Sequence, residues 1–202
     1  MKRTFVAVFV LASVVSRCGV STAHEIGARV DLPSKFERFV VPPGGVRFLQ
    51  FYGIGQIEGP DGTVRFRVGR VAAAGQTTAL LALEVRVSST SGSSRATHTG
   101  FVDADDLDSL VRALKEMDLM LKKRLFLTKA ETVEAEFATG SVRIGAVLTN
   151  RSGDHDRLLI GAGNPSRVTA AFDPADLPML RVFVSKAIET IEKISEVADS
   201  NK

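Results

Sequence analysis

The chain has 202 residues, with 26 Lys and Arg against 23 Asp and Glu, one Cys, one Tyr and no Trp. A single cysteine excludes a disulfide framework and a multi-thiolate metal site. At this length, 45% hydrophobic content suffices for one good core or two small ones.

Residues 1–23 read as a secretory signal peptide. Met1-Lys2-Arg3 is a basic n-region, Thr4 to Val15 is an apolar h-region, and Ser21-Thr22-Ala23 places small residues before a cut. The apolar run is too short for a bilayer core, which needs about 20 residues. Cys18 could instead be an acylation site, although Arg17 beside it fits a lipobox poorly. Cleavage after Ala23 removes Lys2, Arg3 and Arg17 and no acid, leaving 23 basic and 23 acidic side chains. The basic excess therefore belongs to the leader, and the exported chain has no net field to attract nucleic acid or anionic lipid. It also loses its only cysteine. It would be secreted or periplasmic, with no transmembrane helix after cleavage.

Residues 24–45 hold Pro33, Pro42, Pro43, Gly44 and Gly45 without a clear period and read as an N-terminal arm, pinned in part by Phe36 and Phe39. From Val46 the pattern becomes strand-like. Val46–Tyr52 is a first strand candidate, and Gly59-Pro60-Asp61-Gly62 is a turn. Thr63–Val68 alternates strictly, with Val64, Phe66 and Val68 on one face. Thr78–Val87 and Arg95–Val102 are further strands around a Ser88–Ser94 loop. Asp103 is placed to cap the helix that follows, with Asp106 at its third position. Leu107, Leu110, Val111, Leu114, Met117 and Leu121 form its apolar stripe, and Lys122-Lys123-Arg124 suit its C-terminal dipole.

A second unit follows. Strands are expected near Leu125–Lys129, Thr132–Ala138, Val142–Thr149, Arg157–Gly161 and Arg167–Phe172, and Asn150–Asp156 forms a polar turn. The last helix opens at Pro174 or Leu177 and runs to Ala198, with Asp173 and Asp176 as successive caps. Its stripe is Leu177, Leu180, Val184, Ala187, Ile188, Ile191 and Ile194. Leu107, Leu110, Leu114 and Leu121 map onto Leu177, Leu180, Val184 and Ile191 at one constant offset of seventy residues. The expectation is an α+β chain of two tandem β-β-β-β-α repeats, residues 46–124 and 125–202, each antiparallel sheet closed by an amphipathic helix. Over residues 46–198 this order resembles the Whirly-type single-stranded DNA-binding fold. The resemblance is one of topology, without a family motif, and implies a pseudo-dimer within one chain.

Sites are harder to find. No phosphate loop, nucleophile elbow or zinc helix is present, and Gly53–Gly59 has the wrong spacing for a dinucleotide loop. Asn150-Arg151-Ser152 is a glycosylation sequon if the pathway is eukaryotic. Arg65 and Arg67 share a strand face, and with Arg70, Arg86 and Arg143 they could form a basic strip for single-stranded nucleic acid. Glu84, Glu134 and Glu136 are their expected cross-strand partners, and the scarcity of aromatic rings for stacking weighs against nucleic acid. Cleavage after Ala23 would make His24 terminal. Its amine and imidazole, with His98 or His155, could hold copper in a histidine brace. Asp154-His155-Asp156 reads as a solvated turn. The sequence identifies no catalytic group and no cofactor, and the expected role is non-catalytic binding of an unidentified protein or small ligand.

Overall fold

The computed structural model describes residues 33–40, 46–75, 78–91, 94–124, 131–164 and 166–200. The leader, Cys18, His24 and the expected strand at Leu125–Lys129 lie outside these residues.

Two antiparallel sheets are built from consecutive strands. The first contains β1 (Arg47–Gly59), β2 (Gly62–Ala73), β3 (Leu80–Ser91) and β4 (Ser94–Asp103) in that order. The second contains β5 (Thr132–Thr139), β6 (Val142–Thr149), β7 (Arg157–Ala162) and β8 (Val168–Phe172), also in order. The long helices are α2 (Leu107–Lys123) and α3 (Leu177–Ser200), and a six-residue helix α1 (Lys35–Val40) precedes the first strand. A short 3-10 turn opens each long helix, at Ala104–Asp106 and at Pro174–Asp176. The tandem α+β order read from the sequence is thus the observed one. The first sheet is taller than expected. β1 continues through Gly53–Gly59, and β3 and β4 extend into the serine-rich stretch read as a loop.

The inner faces follow from alternation. Val64, Phe66 and Val68 of β2 and Leu83, Val85 and Val87 of β3 point to one side, as do Val142, Ile144, Ala146 and Leu148 of β6. These residues and both helical stripes form one continuous core. β8 touches all four strands of the first sheet, and β4 touches β6, β7 and β8, so the second sheet lies across the inner face of the first. The helices are exchanged between units. α2 lies on β5 and β6, α3 lies on β1, β2 and β3, and the two helices pack on each other.

The repeat offset marks equivalent buried positions. Leu107 and Leu177, Leu110 and Leu180, and Leu114 and Val184 are all buried. Where the copies differ, they differ in size. Ala113 corresponds to Phe183, whose ring tilts against Phe66 with centroids 5.7 Å apart. Gly55 makes room for that ring, since a Cβ there would lie 2.4 Å from Phe183 Cε1.

α1 pins the arm to the outer face of the first sheet. Ser34 and Glu37 form a reciprocal capping box. The Glu37 N–H donates to Ser34 Oγ at 3.0 Å, and the Ser34 N–H donates to Glu37 Oε2 at 2.7 Å. Phe36 is fully buried and stacks on Phe101, with centroids 4.7 Å apart. Ser141 Oγ donates to Glu37 Oε1, which ties the arm to the second sheet as well.

The expected cap at Asp103 is corrected here. Its side chain makes no cap bond to its own helix and instead accepts from the N–H groups of Lys35, at 2.7 Å, and Phe36, at 3.1 Å. A carboxylate at the N-terminus of α1 satisfies donors that a six-residue helix would otherwise leave bare. Asp173, in contrast, does cap locally, accepting from the Ala175 N–H at 2.8 Å. Nearby, the Lys35 ammonium bonds to Asp105, which raises its pKa above the ordinary lysine value. That small contribution is present through neutral pH and is lost only as pH rises through the raised value. Asp103→Ala should destabilise the chain by about 1–3 kcal/mol, the range for charge-assisted bonds lost from a partly buried cap. Proteolysis of the native chain should then cut earliest near α1. An unchanged urea midpoint and cleavage pattern would show that the arm is not held through this carboxylate.

Candidate interaction surface

Along β1 the sequence Phe48-Leu49-Gln50-Phe51-Tyr52 has apolar residues on both faces, which suits a strand buried on both sides or one waiting to be covered. Here they are exposed: Phe48 by 58%, Leu49 by 44%, Phe51 by 39% and Tyr52 by 38%, with Val46 beside them. β1 is an edge strand, and among the described residues only β2 pairs with it.

The backbone register shows which groups this edge presents. The Ala74 N–H donates to the Val46 carbonyl at 2.9 Å, and Arg47 lies opposite Ala73. Hydrogen-bonded pairs alternate along an antiparallel ladder. The polar groups of Phe48, Gln50 and Tyr52 therefore point to β2, and those of Arg47, Leu49, Phe51 and Gly53 point away from it. The run ends at a bulge between Gly53 and Gly55, where the register shifts by one residue. Beyond the bulge, Gly59 lies against Ala171 and Phe172 of β8.

Next to this edge, on the outer face of the first sheet, lie Arg65, Arg67 and Arg86 of the expected strip. Arg67 places Nη2 at 2.7 and 2.8 Å from the two carboxylate oxygens of Glu84, directly opposite on β3. Glu84 is 2% exposed, and the Phe51 ring lies over the guanidinium, 4.3 Å from its Cζ. Arg67 is therefore committed to a carboxylate and a ring. Arg65 and Arg86 sit opposite each other and exposed, with Arg65 reaching Gln56 at 3.5 Å. Arg70 falls on the other face of the same strand and bonds to Gln50 at 3.1 Å. Arg143 is on the second sheet, bonded to Glu136 at 3.0 Å. The five arginines do not form one strip.

The outer face of the second sheet carries a shallow depression of about 150 Å³ over Gly145 and Gly161, rimmed by Glu134, Glu136, Arg143 and Arg167. A larger open groove of about 570 Å³ runs between α2 and α3 over Val111, Leu114 and Val182, with Lys115, Arg181 and Lys186 among its walls.

The histidines are scattered. His98 is on β4, and its ring packs against Gly163, just past the end of β7. His155 is exposed before the start of β7. The six strand residues of β7, roughly 20 Å long, lie between His155 and Gly163, so His98 and His155 stand near opposite ends of that strand. His24 lies outside the described residues. Among the described residues no three His, Cys, Asp or Glu side chains group as metal ligands. The Asp154–Asp156 turn is held structurally. Asp156 accepts from the Thr149 N–H at 2.9 Å and from Arg124 Nη1 at 2.8 Å. At the same end, the bond to Glu131 raises the Arg151 pKa further above its ordinary value.

The sequence reading found the strand at Val46–Tyr52 but not its exposure, and it missed α1. The Ser34-x-x-Glu37 spacing is the signal that marks that helix. Neither α2 nor α3, nor any other helix among the described residues, is long and apolar enough to cross a membrane. Comparison with family models, curated proteins and solved structures finds no match.

Proposed function

We propose that this is an exported, non-catalytic interaction protein whose contact surface is the free edge of β1. The observation that carries the reading is the row of exposed apolar side chains from Phe48 to Tyr52 on a strand that, among the described residues, pairs on one side alone. Soluble proteins protect such edges with lysine, proline, bulges or a covering element. This edge has none of these between Phe48 and Tyr52 among the described residues. An extended segment added there would bond to the outward groups of Leu49, Phe51 and Gly53, and the flanking rings would grip its side chains. The export part rests on the basic, apolar and small-residue order of Met1–Ala23.

Arg67 is engaged with Glu84 and Phe51, which removes the central cation from a nucleic-acid strip. Protein recognition by the strand edge is therefore preferred over single-strand binding on the sheet face.

The test is residue-resolved hydrogen exchange on the monomeric chain, at a dilution where sedimentation shows no self-association. Alone, the amides of Leu49, Phe51 and Gly53 should exchange quickly, while those of Phe48, Gln50 and Tyr52 are protected by β2. A synthetic extended peptide of alternating valine and lysine should slow the first group and leave the second unchanged. Equal rates with and without peptide would refute an edge-binding role. N-terminal sequencing of exported protein should begin at His24. A mature chain that retains Cys18 with added lipid mass would place it on a membrane instead.

A further inference from the structure

We propose that the partner of the β1 edge is the β1 edge of a second copy, joined across a two-fold axis at Gln50. This rests on the edge reading above and adds the identity of the occupant.

The register selects the arrangement. Outward polar groups belong to Leu49, Phe51 and Gly53, so these residues form the hydrogen-bonded pairs of an antiparallel partner. Centring the axis on Gln50 pairs Leu49 with Phe51 of the second copy in both directions and sets Arg47 opposite its Gly53. Phe48 then lies opposite Tyr52 in a non-hydrogen-bonded pair. Every exposed apolar side chain from Phe48 to Tyr52 meets an apolar one on the same face: Leu49 against Phe51 on the outer side, and Phe48 against Tyr52 on the other.

The charges agree. No ionisable group other than Tyr52 lies between Phe48 and Ile57. Arg47, the one charge within the paired run, falls opposite glycine rather than opposite another cation. The edge is therefore free of the like-charge repulsion that ordinarily prevents self-pairing. The bulge at Gly53/Gly55 ends the regular run at Gly53, and within it the Gln50-centred register is the one that sets both Leu49 against Phe51 and Phe48 against Tyr52. The isologous contact closes on itself as a dimer.

The experiment uses the chain from His24 onward, which contains all the described residues and has no native cysteine. In Gln50→Cys the two thiols would face each other across the axis, in the close spacing of a non-hydrogen-bonded pair. Mild oxidation should yield a disulfide-linked dimer about tenfold faster than in Val197→Cys, an exposed control on α3, because pairing raises the effective thiol concentration. Sedimentation of the unmodified chain should show a monomer–dimer equilibrium. Leu49→Pro should abolish it, because proline there removes an outward N–H without breaking a bond to β2. Circular dichroism of this variant should match that of the unmodified chain, which separates lost pairing from lost folding. Gln50→Cys oxidising no faster than Val197→Cys, or a monomer at every concentration, overturns self-pairing. Protection of Leu49, Phe51 and Gly53 by the valine–lysine peptide in that case keeps the edge reading and assigns it a different partner. No protection removes both.

Discussion

Leu110→Ala and Leu180→Ala should each destabilise the chain by about 2–5 kcal/mol, the range for truncating a fully buried leucine. Both side chains are inaccessible to solvent and occupy equivalent turns of α2 and α3. The more informative result is the shape of the transition. Leu110 belongs to the helix on the second sheet, and Leu180 to the helix on the first. If the core is one unit, either substitution lowers the stability of the whole chain, and urea unfolding stays a single step with an unchanged slope. A variant that splits unfolding into two steps, one of them unaffected, would show that the halves are energetically separate. A loss below 0.5 kcal/mol at both sites would mean that the stripes tolerate a cavity, against the general cost of core truncation.

Arg67→Ala is expected to cost about 3–5 kcal/mol, because it leaves Glu84 buried without its cation. Glu84 is 2% exposed, and no other hydrogen bond to its carboxylate is formed among the described contacts. The same substitution removes the guanidinium beneath the Phe51 ring. Glu84→Gln should cost less, since the amide keeps the shape and can still accept a hydrogen bond. The double variant Arg67→Leu with Glu84→Leu tests the cause. Replacing both partners with apolar groups removes the stranded charge and should recover most of the loss. Thermal melts of the unmodified chain and these three variants make the comparison. A double variant no more stable than Arg67→Ala would place the loss in packing rather than in charge.

The sequence made some of this legible for identifiable reasons. Leu107, Leu110, Leu114 and their counterparts were readable because helical spacing and a constant offset report the same buried face twice. Glu84 and Glu136 were recognisable as arginine partners because alternation fixes which residues share a face. Asp103 misled because its helix begins beside it, and the cap rule names a local amide. Its actual donors are the N–H groups of Lys35 and Phe36, 68 and 67 residues away in the chain. Helix α1 is too short to show a period. The exposure of Phe48 and Leu49 is a property of strand order, which places β1 at an edge. A run of apolar residues reads the same whether two layers cover it or none. The exchange of the helices was likewise hidden. An amphipathic stripe states that a face is buried, and says nothing of which sheet buries it.

That exchange has a consequence for how the chain is made. The strands of the first sheet are complete by Asp103, but the helix that covers them is the final one, Leu177–Ser200. During synthesis the N-terminal half emerges first, and it emerges with the inner face of its sheet bare. Helix α2 follows at once, yet the surface it needs has not been translated. The first half can therefore not finish folding ahead of the second, and closure waits for the last turns to leave the ribosome. Until then Val64, Phe66, Val85 and their neighbours remain open to chaperones, or to whatever machinery handles unfolded chains. A stop codon anywhere before Leu177 would remove the lid of the sheet made earliest.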